Sequence, residues 1–286
     1  MTDPFPPFLG EKPSLEDAKV VVLPIPFEKT TTYVKGCALG PSALLEASQQ
    51  VETFDDELER DLTSLGIHTA PPIAGTASTP EIMLEEVDHA VTALLERNKF
   101  VVGVGGEHSI TIGIVQAFLK KYPDLGVLQL DAHGDLRNRY HGSRLNHACV
   151  GRRVREMVPL MHVGLRSYCA EEAEWIREKK IPVVAARKFI ADPDSALELL
   201  SRLPEKIFLT VDLDFFDPSE VPGVGTPEPG GPRWYETLGF LKEVARRKKI
   251  IGFDLMELCP RPGSVTSEFF AAKLLYRILG YIHSQD

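Results

Sequence analysis

The chain is short of cysteine, of basic charge and of long apolar runs, and each shortage closes off a class of function. Its four cysteines, Cys37, Cys149, Cys169 and Cys259, are scattered through 286 residues with no CxxC pair. That spacing offers neither a disulfide framework nor a thiolate zinc site. Lys and Arg number 32 against 41 Asp and Glu, a formal net charge of −9. An acidic chain of this kind binds nucleic acid poorly and attracts small cations. No apolar stretch approaches the roughly 20 residues of a membrane helix. The opening MTDPFPPFLGEKP lacks the basic start and apolar core of a signal peptide. The expected setting is the cytoplasm, with neither nucleic acid nor membrane as a partner.

Alternation of strand and helix runs from end to end. Hydrophobic residues make up 43% of the chain, enough for a substantial core. Apolar runs at 19–24, 65–70, 100–104, 125–130, 160–163, 182–185, 207–212 and 250–255 predict about eight strands. Between them, spacing and capping signals predict helices over 41–50, 80–98, 109–122, 148–157, 170–180, 193–203, 235–247 and 266–283. The second of these carries Ile82, Leu84, Val87, Val91, Leu94 and Leu95 at helical spacing, with Ser78 or Thr79 as its cap. Residues 1–17 are Pro-rich and predict a surface segment. Residues 218–232 are so dense in Pro and Gly that they predict a long loop, a common place for function. No composition shift or repeat divides the chain, so residues 1–286 read as one α/β domain with a mainly parallel sheet covered on both faces. An eight-stranded α/β barrel is the competing architecture. Either one places ligands at the carboxyl ends of the strands.

Those ends are where the acidic residues fall. LGVLQLDAHGDLR (125–137) and TVDLDFFDP (210–218) each run from an apolar strand into metal-capable residues at every second position: Asp131, His133 and Asp135 in one, Asp212 and Asp214 in the other. Residues two apart in an extended backbone point to the same side. Two such strands side by side aim four carboxylates and an imidazole at one small volume, which needs cations between the charges. His108, flanked by glycines at a third strand end, adds a second imidazole. An oxygen-rich set with some imidazole and no thiolate suits manganese better than zinc. Six protein ligands exceed what one ion with an open position needs and fit two ions about 3.5–4 Å apart, which can share a water and lower its pKa. On these residues alone a two-metal phosphoesterase, or a metal-free, non-catalytic binding or structural protein, stays open.

With GGEHS at 105–109, DAHGD at 131–135, DLDFFDP at 212–218, GTPEPGG at 225–231 and DLMELCP at 254–260, the chain resembles the ureohydrolase family that includes arginase and agmatinase, most of all the prokaryotic agmatinases. The segments are in family order and the likeness runs from about residue 19 to the last helix. It implies an arginase-like three-layer αβα sandwich rather than a barrel, two Mn2+ ions per subunit, and a homo-oligomer, a trimer or hexamer. Carried over, it gives His108, Asp131, Asp135 and Asp212 to one ion and Asp131, His133, Asp212 and Asp214 to the other. Glu257 would receive the substrate guanidinium and His147 would shuttle protons, with His141 as a weaker stand-in. Glu107 departs from the Asp of many relatives, an adjustment expected to stay behind the ligands. Asp254 is expected beside them at the same strand end. His68, His89, His162 and His283 are read as structural or surface residues.

The implied chemistry agrees with these residue types. A guanidinium resists attack, so a water made acidic by two ions is needed at neutral pH. Asp135 can take up its proton, His147 can give one to the departing amine, and Glu257 can hold the planar cation by paired hydrogen bonds. The products are urea and an amine. The loop LRNRYHGSRLNHA lacks the Asn and Thr pattern with which arginases hold the amino acid head, and Arg137, Arg139 and Arg144 fill much of it. The expected order of substrates is agmatine (to putrescine, in polyamine synthesis), then N1-aminopropylagmatine, then guanidinobutyrate or arginine. An arginine of this loop turned inward would favour the guanidino acid. Surface or intersubunit ion pairs are the expected role.

Overall fold

The computed structural model describes residues 4–74, 76–77 and 79–284. Strands β1 (Val20–Ile25), β4 (Ile67–Thr69), β5 (Phe100–Gly105), β6 (Gly126–Leu130), β7 (Leu160–Leu165), β8 (Val183–Ala185), β9 (Lys206–Asp212) and β10 (Lys249–Met256) form one sheet. They correspond one for one to the eight apolar runs. A small antiparallel pair, β2 (Phe54–Asp55) and β3 (Arg60–Asp61), was not expected from sequence. Its strands are two residues long and carry no period-2 pattern to read.

The sheet order is β4-β1-β5-β10-β9-β6-β7-β8, and every pairing is parallel. The two edges, β4 and β8, do not pair with each other, so the sheet is open and the barrel is excluded. Strands such as VVVLPI of β1 and GVLQL of β6 are buried at every position, as a sheet covered on both faces requires. Pro24 is tolerated within β1 because the pairing with β4 ends at Val22, leaving no partner for its missing N–H on that side.

Helices α2 (Pro80–Glu96), α3 (Thr111–Lys121), α4 (Val150–Met157) and α5 (Ala170–Lys179) cover one face. Helices α1 (Gly40–Ser48), α6 (Ala186–Ala191), α7 (Asp194–Leu199), α8 (Trp234–Arg247) and α9 (Thr266–His283) cover the other. The three-layer sandwich is thus present. Thr79 caps α2 by accepting the Ile82 N–H; the alternative cap, Ser78, lies outside the described residues. The buried stripe of α2 is Met83, Leu84, Val87, Val91, Leu94 and Leu95, and Ile82 faces outward. The helix expected over 193–203 is α7 followed by a 3-10 turn, Leu200–Arg202, and α6 was missed.

What positions the site is the order in which the sheet is filled. The chain builds β1, β4 and β5, crosses to β6, β7 and β8, and then returns to insert β9 and β10 between β5 and β6. Four strand ends from distant parts of the sequence therefore open side by side, at the crossover point where open α/β sheets hold ligands. The tight exits need glycine. A Cβ on Gly106 would sit 2.0 Å from the Phe27 carbonyl oxygen, and one on Gly231 would sit 2.5 Å from the Asp217 nitrogen.

Candidate metal centre and substrate pocket

Each of the four central strands delivers its part at its carboxyl end. After β5, a 3-10 turn brings up buried His108. After β6 come Asp131, His133 and Asp135. Asp212 ends β9 and Asp214 follows it, and after β10 comes Glu257. Asp135 and Glu257 hold φ angles of 50° and 64°, a left-handed conformation that is uncommon outside glycine and collects at functional sites. The Glu257 backbone N–H donates to the Gly106 carbonyl, and its carboxylate accepts the His108 N–H at 2.7 Å.

The sequence-predicted ligands converge in two groups. His108 Nδ1 lies 3.3 Å from Asp131 Oδ2, 3.4 Å from Asp135 Oδ2 and 3.2 Å from Asp212 Oδ2. His133 Nδ1 lies 2.7 Å from Asp214 Oδ2 and 3.9 Å from Asp131 Oδ1. Asp131 thus turns one oxygen to each group. Asp212 reaches only toward His108, while its other oxygen accepts the Asp214 N–H at 2.9 Å. The groups His108–Asp131–Asp212 and Asp131–His133–Asp214 each have the compactness needed to hold an ion.

The donor chemistry fits cations. His108 Nε2 is 2.9 Å from Thr210 Oγ1, and Thr111 Oγ1 bonds Asp254 Oδ2 at 2.9 Å and lies 3.4 Å from Thr210 Oγ1. With Nε2 engaged there, Nδ1 is a fully buried atom without a hydrogen-bond partner, facing three carboxylate oxygens. Support of this kind behind a ligand fixes its lone pair toward a metal. The charge balance says the same. Burial works against a charge on His108, yet Asp131, Asp135 and Asp212 raise its pKa well above the ordinary value. Burial also opposes charge on His133, yet Asp214 and its neighbours push it up to about 11. Burial, then Asp131, pushes Asp135 up to about 7, and burial with Asp214 and Asp131 pushes Asp212 well above the carboxylate range. These groups compete for protons because no lysine or arginine among the described residues comes within ion-pair distance of the four aspartates.

A pocket of about 310 Å³ opens above the cluster. Its floor includes His133, Asp135, Asp212, Asp214 and Glu257, and its wall includes His147, Arg137, Glu172 and the aromatic residues Tyr33, Tyr140 and Tyr168. Burial pushes Glu257 up to about 8. Burial, with the charges of His133 and His108, lowers His147 to about 4. His147 opens the turn before α4, capped by Asn146. His141 is exposed, packs edge-on against Tyr140 and does not line the pocket.

Among the arginines of the loop, Arg144 pairs with Glu156 and Arg139 donates to the Gly142 carbonyl, both at the surface. Arg137 lines the pocket instead, 5.0 Å from the centre of the Tyr140 ring. Further side chains support the site: His162, read from sequence as structural or surface, and Glu172 and Arg166, which sequence reasoning did not single out. His162 is fully buried, its Nε2 2.7 Å from the His133 carbonyl oxygen. Glu172 accepts the N–H groups of Leu136 and Cys169. Arg166 donates to the carbonyls of Asp214, Phe215, Phe216 and Glu228, so the Pro- and Gly-rich loop is irregular but tied down. None of the three lies in or beside a sequence motif.

Comparison with known proteins decides the family. A model of the Arginase family matches residues 18–280. The chain belongs to the Arginase family. Membership in this family of binuclear-metal enzymes makes it a hydrolase of guanidino groups and removes the phosphoesterase and the inert binding protein. The chain is 48% identical to a protein of Synechocystis sp. named N(1)-aminopropylagmatine ureohydrolase, over 94% of this chain and 90% of that one. It is 34% identical to an agmatinase of Bacillus subtilis, over 88% of each. The structure of agmatine ureohydrolase from Thermoplasma volcanium superposes with a TM-score of 0.88 at 29% identity, covering 95% of this chain and 92% of the other. Within the family, the open sheet and the two acidic groups are the expected frame. No helix among the described residues is long and apolar enough to cross a membrane.

Proposed function

We propose that the enzyme releases urea from a cationic guanidino amine, agmatine or its longer relative N1-aminopropylagmatine, using two manganese ions. The observation that carries this reading is the pocket itself: one acidic floor with two ligand groups, and Glu257 beside them. His108, Asp131, Asp135 and Asp212 would hold one ion, and Asp131, His133 and Asp214, with Asp212 close by, the other. Bound there, the ions would supply the positive charge that makes a water acidic enough to attack at neutral pH. Glu257 receives the guanidinium by charge-assisted hydrogen bonds, and the incoming cation draws its carboxyl into the ionised form. Asp135 takes the proton lost by the attacking water. As the carbon–nitrogen bond breaks, its electron pair goes to the amine nitrogen, which takes a proton from His147, while the hydroxyl on the carbon gives its proton to solvent and becomes the urea carbonyl. Urea and the free amine leave.

Between the two polyamine substrates, the 48% identity to the Synechocystis protein favours the longer one. The exposed rings of Tyr33 and Tyr168 at the mouth suit the additional ammonium groups of a longer chain. A second reading has its own observation. Arg137 in the pocket wall is placed to meet a carboxylate, as in guanidinobutyrate. The whole chain is taken as one domain, working in the cytoplasm as a homo-oligomer. The exposed apolar residues Leu39, Val265 and Phe269 near the starts of packed helices α1 and α9 support association.

The test is urea release by manganese-loaded protein given agmatine, N1-aminopropylagmatine, arginine and guanidinobutyrate side by side. The expected ranking of kcat/KM places the two polyamines first. A preference for guanidinobutyrate would hand the role to Arg137, and no urea from any of the four would overturn the substrate class. Replacing His147 with Ala should lower kcat by roughly 10²–10⁴-fold, the usual contribution of a positioned acid.

A further inference from the structure

His147 does not reach the pocket alone. Its backbone N–H and its ring Nδ1 both meet one atom, Thr30 Oγ1, at 2.9 Å and 3.1 Å. Thr30 lies in the loop after β1, 117 residues away in sequence. That hydroxyl is also 2.8 Å from Glu107 Oε1. Glu107 is fully buried, and four donors point at its two oxygens: the N–H groups of Lys29 and Thr30, and the hydroxyls of Thr30 and Ser109.

Counting protons on this chain of contacts fixes the imidazole. Every neighbour of Glu107 in these contacts is a donor, so its carboxylate acts only as an acceptor. The single hydroxyl proton of Thr30 therefore goes to Glu107. The two lone pairs of Thr30 Oγ1 then face His147, and they can be met only by N–H groups. One is the backbone N–H. The other must be Nδ1–H. In a histidine, the hydrogen bond made by one nitrogen decides the state of the other, as the orienting acid does in a hydrolase triad.

We propose that Thr30, oriented by Glu107, is a positioning residue that keeps His147 protonated at Nδ1, so that protons come and go only at Nε2. The inference rests on His147 delivering the proton to the departing amine. The arrangement serves both charge states without moving. Neutral His147 carries its proton on Nδ1, and the imidazolium keeps the same Nδ1–H bond and adds a proton at Nε2. Before the carbon–nitrogen bond breaks, Nε2 takes up a proton from solvent; as the bond breaks, that proton passes to the amine nitrogen and leaves Nε2 bare again. The forbidden state is the tautomer with Nε2–H and a bare Nδ1, which would set two lone pairs against each other. Glu107 in place of the shorter Asp also acquires a reason, because its longer side chain reaches the loop that carries Thr30.

The test pairs Thr30→Val, which keeps the shape and removes the hydroxyl, with Thr30→Ser, which keeps the hydroxyl. Thr30→Val should lower kcat by about 10–100-fold, part of what a positioned acid supplies. KM and the two-ion content should stay within about twofold, and Thr30→Ser should restore most of the rate. Independently of turnover, nitrogen NMR of histidine-labelled full-length protein, loaded with a diamagnetic divalent ion, should show His147 with Nδ1 protonated and Nε2 bare. In Thr30→Val that preference should be lost. A wild-type spectrum with Nε2–H, or a Thr30→Val protein unchanged in both spectrum and kcat, overturns the proposal. A wild-type protein that shows the Nδ1–H form but releases no urea leaves the positioning intact and overturns the assigned reaction.

Discussion

At the carboxyl ends of the central strands, Asp131, Asp135, Asp212 and Asp214 crowd around His108 and His133, whereas Asp55, Asp56 and Glu57, on the β2–β3 hairpin, close around Arg277 of α9. Both are gatherings of carboxylates against a largely buried partner. In the second, the cation is part of the chain: Arg277 lies 2.7 Å from Asp55, 2.8 Å from Asp56 and 2.5 Å from Glu57. The Nε–Asp55 contact is a charge pair without an aligned hydrogen bond. In the first, the partners are imidazoles, which must take protons to balance the acids. The difference separates a fastening from a receptor. A fixed guanidinium ties the hairpin to the last helix, while unbalanced aspartates keep a place for charge that arrives from outside.

The largest expected effect comes from breaking the receptor. Asp214→Ala should lose one of two bound ions and lower urea release by at least about 10³-fold, the scale of several kcal/mol of charge stabilisation. Its metal-free thermal midpoint should stay within a few degrees of the parent's, because the change also removes a carboxylate that repels Asp212. Metal analysis together with calorimetry decides it. A large fall in the metal-free midpoint would make the cluster a structural device like the one at Arg277.

The converse variant attacks the fastening. Arg277→Leu leaves buried Asp55 without its partner, a loss of about 3 kcal/mol, since stranding one member of a buried pair costs more than the pair contributes. For a chain of this size that lowers the thermal midpoint by roughly 6–12 °C. The folded fraction should keep its ion content and kcat. Adding Asp55→Asn should recover part of the stability, because the stranded charge is gone. A fall in kcat with an unchanged midpoint would break the division between the two clusters.

Sequence alone could read the receptor and not the fastening, and the reason is physical. The ligands stand at every second position after apolar strands, so local backbone geometry already implies convergence, and only the neighbourhood of β6 and β9 had to be supplied by the fold. The eight strands were legible for the same reason, as uninterrupted apolar runs. Arg277 and the acids it binds are 220 or more residues apart, in a helix pattern and a short hairpin that carry no motif. Thr30 and Glu172 were illegible likewise: Thr30 acts through a single hydroxyl in a loop, and Glu172 through a carboxylate that accepts backbone N–H groups, which carry no residue signature. Arg137 shows a further limit. Three arginines in one loop look equivalent in sequence, and only the turn of the chain sends Arg139 and Arg144 outward and Arg137 to the pocket.

The smallest expected effect is the most direct measure of the contrast, the pH dependence of stability with the ions stripped by a chelator. Asp135, at about 7 against an ordinary 3.8, and Glu257, at about 8 against 4.5, hold protons in the folded state that the unfolded chain has lost. His108 and His133 are raised above 6.5 in the same sense. Wherever the folded state binds more protons, stability falls as pH rises. His147, lowered to about 4, acts oppositely but only between its folded value and 6.5. From pH 6.5 to 8 the raised groups therefore act together, and the metal-free midpoint should fall by at least about 3 °C. The Arg277 cluster is silent there. Although burial raises Glu57, Tyr281 and Lys242 pull it below 4.5, so its contribution is lost only in acid. With ions bound, the folded aspartates need no protons, and the fall should vanish or reverse. A metal-free midpoint that is flat or rising across this window would mean that the four aspartates are already balanced within the chain, and would remove the physical reason for expecting ions at all.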